Sequence, residues 1–173
     1  NYSDVNDILT TQTPEKMERY KDFIAMFKRM EELAAILRKN RKKKGSIDFD
    51  FPECKIKLDQ NGHPIDIVPY DSNVATKLIE EFMLAANQVV AEDYFWMEVP
   101  FVYRTHEYPD LDRMKELAAL TRSFGFKLKV GSEEVHPKEV QRLITSIEGT
   151  EAEAFLSRLT LRSMKRAKYS TVN

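Results

Sequence analysis

Two adjacent carboxylates, Glu80 and Glu81, stand in a run that reads as one helix, Leu78-Ile79-Glu80-Glu81-Phe82-Met83-Leu84-Ala85-Ala86-Asn87. At about 100° per residue, Ala75, Leu78, Ile79, Phe82, Ala86 and Val89 share one broad apolar arc. Glu80 and Asn87 fall nearly opposite that arc, two turns apart, while Glu81 sits at its edge. On pattern alone Glu80 belongs to a solvated helix face. The sharper alternative is a carboxylate that accepts hydrogen bonds from ribose hydroxyls, chemistry that separates RNA from DNA through the 2′-OH.

Other side chains carry similar pairs of readings. Ile47, Phe49 and Phe51 alternate with Asp48 and Asp50, the pattern of a strand with its apolar residues on one face. Phe49 is then a core residue, or else an aromatic platform beside the basic run Arg38 to Lys44; stacking of a base on such a ring is worth ~1–3 kcal/mol. That basic run is a helix C-terminus in water or a phosphate contact. Tyr2 is uninformative by itself, and Arg104 and His106 flank a strand end. His63 and His136 lie in turn-like contexts. Arg158, Arg162, Lys165, Arg166 and Lys168 give a last helix a second cationic surface. No close cluster of aspartates suits a two-metal phosphodiesterase, and no glycine-rich phosphate loop, HExxH or CxxC is present. By residues alone there is no catalytic centre and no metal site.

The elements that must position these groups follow from periodicity. Ser3 opens a short capped helix. Thr13-Pro14-Glu15 starts a long one, with Tyr20, Phe23, Ile24, Phe27, Met30, Leu33, Ala34 and Leu37 on its stripe and Gly45 as its stop. Cys54 to Leu58 and Ile65 to Ile67 flank Asn61-Gly62, a strong hairpin signal. A helix from Ser72 to about Trp96 follows, stopped by Pro100, and Phe101-Val102-Tyr103-Arg104 reads as a short buried strand. Three more helices are expected: Asp110 to Phe124, one after His136-Pro137, and one from Glu151 to about Lys168. The fold class expected is α+β, mostly helical with a small antiparallel β element.

With 173 residues, one domain spanning 1–173 is expected. Charged residues make up 32% and no segment approaches the roughly 20 apolar residues of a membrane-spanning helix, so no membrane partner is expected. The single cysteine, Cys54, cannot close an internal disulfide, which fits a reducing, cytoplasmic setting, and it reads as a small core residue. The chain opens without Met or a signal-peptide pattern, and it reads as a segment of something longer.

Taken in order, Tyr2-Ser3-Asp4-Val5, the Arg41-to-Phe49 junction, the Ile56-to-Ile67 hairpin, Leu78 to Asn87, Tyr103-Arg104-Thr105-His106 and Leu161 to Tyr169 resemble the central part of the RNB exoribonuclease domain. The resemblance is to the ribonuclease R and ribonuclease II family, nearer the former, and makes the chain an incomplete RNB domain. It implies processive, hydrolytic 3′-to-5′ degradation of single-stranded RNA to nucleoside 5′-monophosphates with Mg²⁺. By position, Tyr2 matches a tyrosine near the sugar–phosphate at the cleavage end. Phe49 matches the stacking phenylalanine of an aromatic clamp, and Glu80 a carboxylate that holds a terminal ribose. Glu81, Arg104, His106, Arg162 and Lys165 match further RNA-binding motif positions. The family's metal-binding aspartates map before Asn1 and its phosphate-gripping arginine after Asn173, so the chain alone is expected to be inactive. Ser72-Asn73-Val74-Ala75-Thr76 departs from the family's usual Arg-Asn-Asp-Ala-His and puts local contacts there in question. The competing reading is a non-catalytic helical module that binds RNA or another protein.

Overall fold

A side-chain cap decides where the first helix begins. In the computed structural model, which describes residues 1–49, 53–70 and 72–172, the cap of α1 (Tyr2–Leu9) is Asn1 rather than Ser3. Its Oδ1 accepts from the backbone N–H of Asp4 at 2.8 Å. Thr13 precedes α2 (Pro14–Arg19), with Pro14 in the first turn, where a missing N–H is harmless. The Thr13 hydroxyl does not cap that helix; it donates to Asp7 Oδ2 at 2.6 Å.

The single long helix expected from Thr13 is divided at Tyr20 and a 3-10 turn, Lys21–Phe23, before α3 (Ile24–Lys44). The bend accompanies a polar cluster that ties α2 to α1. Tyr20 OH donates to Asp4 Oδ2 at 2.9 Å, and Lys16 Nζ lies 3.3 Å from Asp4 and 3.1 Å from Asp7. The Tyr20 hydroxyl, then Lys16, hold the Asp4 carboxyl below its usual range; Thr13, then Lys16, do the same for Asp7. Carboxylates depressed in the folded state add stability above their unfolded pKa of about 3.9 and lose it as pH falls through the lower folded value. Amide-exchange protection in α1 is therefore expected to drop as the solution is taken from about pH 4 to pH 2. The Asp4→Asn/Asp7→Asn variant should show no such step, and a step of unchanged size in it would remove this cluster as the cause.

Gly45 closes α3 in the left-handed region at φ +101°. Ser46 N–H reaches back to Arg41 O at 3.2 Å and Gly45 N–H to Lys42 O at 3.0 Å, the paired bonds of a Schellman end. Gln141 Nε2 donates to both Lys42 O and Ser46 O at 2.9 Å. A β-carbon at Gly45 would stand 3.2 Å from Lys138 Cγ, so this close approach adds to the need for glycine.

The strand expected from Ile47 is corrected: residues 46–49 have no regular structure. Ile47 packs on the hydrophobic core below, and Arg41 Nη1 holds Asp48 at 2.7 Å, contacts that replace a ladder. Phe51, the third member of that alternation, lies outside the described residues. The hairpin is present, with β1 (Glu53–Leu58) antiparallel to β2 (Pro64–Tyr70) and Ile56 opposite Ile67. Its apolar residues Ile56, Leu58, Ile65 and Ile67 are exposed, and so is Cys54, contrary to the core position expected for it.

Next come α4 (Val74–Trp96), β3 (Tyr103–Thr105), α5 (Leu111–Ser123), α6 (Pro137–Ile147), α7 (Glu153–Ser163) and β4 (Lys168–Ser170). Only the end of the expected buried strand is one, since Tyr103 is buried but Val102 is exposed. The last helix stops at Ser163, where Met164 turns extended at ψ 148°. Lys168 therefore lies on a strand, β4, that pairs with β3.

Asp110 Oδ1 caps α5, accepting from Asp112 and Arg113 N–H at 3.0 and 3.2 Å, and Gly125 ends it at φ +86°. Met114 and Leu117 of α5, Val140, Leu143 and Ile147 of α6 and Leu156 of α7 meet Leu128 and Val135 in one core. The buried hydroxyls of Thr121 and Thr160 are satisfied within their own helices by Ala118 O and Leu156 O.

The expected α+β class, mostly helical with small antiparallel pairs, is what forms. The chain separates into two compact units, unit 1 with Asn1–Lys39 and Asp50–Asn87, and unit 2 with Asn40–Phe49 and Gln88–Asn173.

Candidate functional site

In unit 1 the candidate residues hang on the start of α4. Asn73 Oδ1 accepts from Thr76 N–H at 3.0 Å while Thr76 Oγ1 accepts from Asn73 N–H at 2.9 Å, a reciprocal capping box. The segment Ser72 to Thr76, which departs from the family pattern, thus has a structural use as it stands. Asn6 Oδ1 accepts the next free donor, Val74 N–H, at 3.1 Å, and so ties α1 to the same helix end.

From that start, Ala75, Leu78 and Glu81 turn inward and are buried, whereas Glu80 is exposed. Glu81 is only 2% exposed, and its Oε1 accepts from Arg38 Nε at 2.9 Å. Arg38 Nη2 also approaches Lys77 O at 3.4 Å. An ionised pair at this depth is a strong rotational marker for α4, because turning the helix would break charged hydrogen bonds. Glu81, expected among RNA-contacting residues, is therefore placed against Arg38, and its neighbour Glu80 is the carboxylate presented to water.

Tyr2 is half-exposed and lines an apolar pocket of about 390 Å³ together with Val5, Phe27, Met30, Leu78 and Ile79. Leu78 and Ile79 immediately precede Glu80, so Tyr2 and the ribose-holding candidate belong to neighbouring parts of one unit. Phe49 is half-buried and belongs to unit 2, two residues past the anchored Ile47.

The basic run at the end of α3 does not act as one surface. Arg38 is committed to Glu81, and Arg41 and Lys42 to Asp48, while Lys39, Lys43 and Lys44 remain exposed. Asp48 is thus held by cations, and Asp50 lies outside the described residues. Asp4 and Asp7 likewise face Lys16. Among the described residues no group of three or more His, Cys, Asp or Glu could hold a metal ion, so these described residues do not fit the Mg²⁺ implied by the resemblance.

Unit 2 gathers the remaining candidates. His106 Nε2 hydrogen-bonds Lys165 O, Arg104 is exposed on β3, and Arg162 is exposed in the last turn of α7. Sequence reasoning missed Glu107, which joins Lys165 at 3.2 Å and also pairs with Lys168. Lys168, then Lys165, hold the Glu107 carboxyl below its usual range. The missed signal was the Met164 break: Lys165-Arg166-Ala167-Lys168 is good helix sequence, so local propensity hid the strand.

Comparison with known proteins gives a consistent picture. The family model described as RNB domain matches residues 1–173. Ribonuclease R of Thermotoga maritima is 40% identical over 173 residues, covering 99% of this chain and 24% of the relative. Ribonuclease R of Aquifex aeolicus is 38% identical over 160 residues, covering 92% of this chain and 23% of the relative. The chain thus spans about a quarter of the length of these relatives. Among solved structures, Mycoplasma genitalium RNase R in complex with ribose methylated single-stranded RNA superposes with a TM-score of 0.86 at 23% identity. That match covers 99% of this chain and 26% of the other. The same enzyme in complex with double-stranded RNA matches with a TM-score of 0.86 at 23% identity, over 99% of this chain and 30% of that one. No helix among the described residues is long and apolar enough to cross a membrane.

Proposed function

The chain belongs to the RNB-domain family, and from that premise we propose that it forms RNA-contacting structure within a processive, hydrolytic 3′-to-5′ exoribonuclease. In this reading units 1 and 2 are parts of one RNB domain that releases nucleoside 5′-monophosphates from single-stranded RNA in the cytoplasm. Mg²⁺ is held by ligands outside this chain, and the chain alone does not cleave. The observation that carries the reading is the paired arrangement of Glu80 and Glu81: one carboxylate buried against Arg38, the next exposed on the same rigid helix.

Each residue then has a distinct task. Glu80 accepts hydrogen bonds from the hydroxyls of a terminal ribose. Glu81 is a positioning residue, acting through Arg38 on the rotation of α4. Tyr2 sits near the sugar–phosphate, Phe49 stacks on a base, and Arg104, His106, Arg162 and Lys165 contact the strand. A hydrogen bond to a charged group contributes about 1.5–3 kcal/mol.

The test compares this chain with a longer RNB polypeptide containing it, assayed with Mg²⁺ for monophosphate release from single-stranded RNA. Release by the longer protein alone is expected; equal release by this chain would overturn the division of labour. In the longer protein Glu80→Ala should cut the preference for a ribose over a 2′-deoxyribose end by roughly 10- to 100-fold. An unchanged preference would remove Glu80 from that role. Salt-sensitive binding by this chain, without release by any longer form, would favour the non-catalytic RNA-binding module.

A further inference from the structure

The ribbon formed by β3 and β4 has two unlike faces. Tyr103 points inward, 7% exposed, with its ring 5.2 Å from Phe101, which in turn stacks on Tyr94 at 4.3 Å. Strand alternation places Arg104 on the opposite face, and the antiparallel register sets Tyr169 directly across from it. Opposed residues share a face with β-carbons about 4.5–5.5 Å apart. Tyr169 is 77% exposed, and Arg104 is exposed and makes no ion pair among the described residues. The outer face therefore offers a phenol ring and a guanidinium side by side, on a backing fixed by three packed aromatics.

The surroundings are cationic. Lys165 and Arg166 are exposed in the segment just before β4, whereas Lys168, opposite Thr105, falls on the Tyr103 face of the ribbon. Glu107 offsets part of that charge through Lys165 and Lys168, and Asp110 is turned to the N-terminus of α5. An aromatic ring among cations is how single strands are bound without sequence preference: the ring stacks a base and the cations follow the phosphates. A duplex keeps its base faces covered and leaves such a ring unused. An acidic protein segment would engage the cations but has no comparable call on the ring.

We infer that the outer face of β3–β4 is a contact for single-stranded RNA, in which a base stacks on Tyr169 and an adjoining phosphate pairs with Arg104. The choice of RNA rests on the function proposed above; the ring and its cross-strand cation define the place. Tyr169, in unit 2, is a binding residue there.

The probe is a short oligouridylate carrying one 5-iodouridine, bound to the whole 173-residue chain at low salt. Long-wavelength irradiation is expected to join it to the peptide containing Tyr169. Tyr169→Ala should weaken binding about 5- to 100-fold with the salt dependence unchanged, and Tyr169→Phe should bind like the parent. Arg104→Ala should flatten the dependence of log K on log salt by about 0.7, the value of one single-strand phosphate. If the wild-type chain binds RNA but cross-links elsewhere and Tyr169→Ala binds equally well, this inference fails and the RNA reading survives. If the folded wild-type chain binds no RNA, both fail together.

Discussion

Arg38→Ala is expected to destabilise unit 1 by about 2–3 kcal/mol, near the top of the range for a hydrogen bond between charged groups. The size follows from asymmetry. Arg38 is 35% exposed and Glu81 2% exposed, so the charged bond lost from Arg38 Nε is not replaced by one from water. Urea denaturation monitored in α4 checks this. An effect below about 0.5 kcal/mol would mean that the pair does not position the helix. A double change, Arg38→Met with Glu81→Leu, is expected to recover most of the loss, because exchange of a buried ion pair for packed apolar groups is often neutral or stabilising. In the longer RNB polypeptide, the single variant should also blunt ribose discrimination, since Glu80 faces outward only while Glu81 faces in.

Leu143→Ala is expected to cost about 3–5 kcal/mol in unit 2. Leu143 is fully buried in the core shared by α5, α6 and α7, and loss of three carbons there removes transfer energy and leaves a cavity. Leu161, on the exposed side of α7, is the control, and its replacement by Ala should stay within about 0.5 kcal/mol. Thermal or urea melts of the two variants measure the difference. Equal effects would contradict the packing described.

The amphipathic helices were legible because their signals are local. Pro14, Pro137, Asp110, Gly45 and Gly125 mark starts and stops through dihedral limits and free backbone donors, which each residue carries with it. The Asn61-Gly62 turn likewise announced the hairpin. What the signals left open were breaks set by distant partners. Tyr20 interrupts a good helical stripe in company with its bond to Asp4, sixteen residues away. Residues 46–49 alternate like a strand, yet Ile47 is taken by the core and Asp48 by Arg41. Cys54, Ile56 and Ile67 were readable as members of a strand but not as exposed ones, because a period of two does not say whether either face is covered.

The order of motifs along the chain, with the glutamate pair at its centre, was sufficient to identify an RNB domain and the α+β class, since both are properties of type and spacing. Which glutamate meets water was decided only by the fold. A helical wheel put Glu81 at the margin of the apolar arc, and it took Arg38, forty-three residues earlier, to draw that carboxylate inward and leave Glu80 outside. The pairing of Arg104 with Tyr169 is of the same kind: two short strands with weak local signals acquire a shared face only through a long-range register.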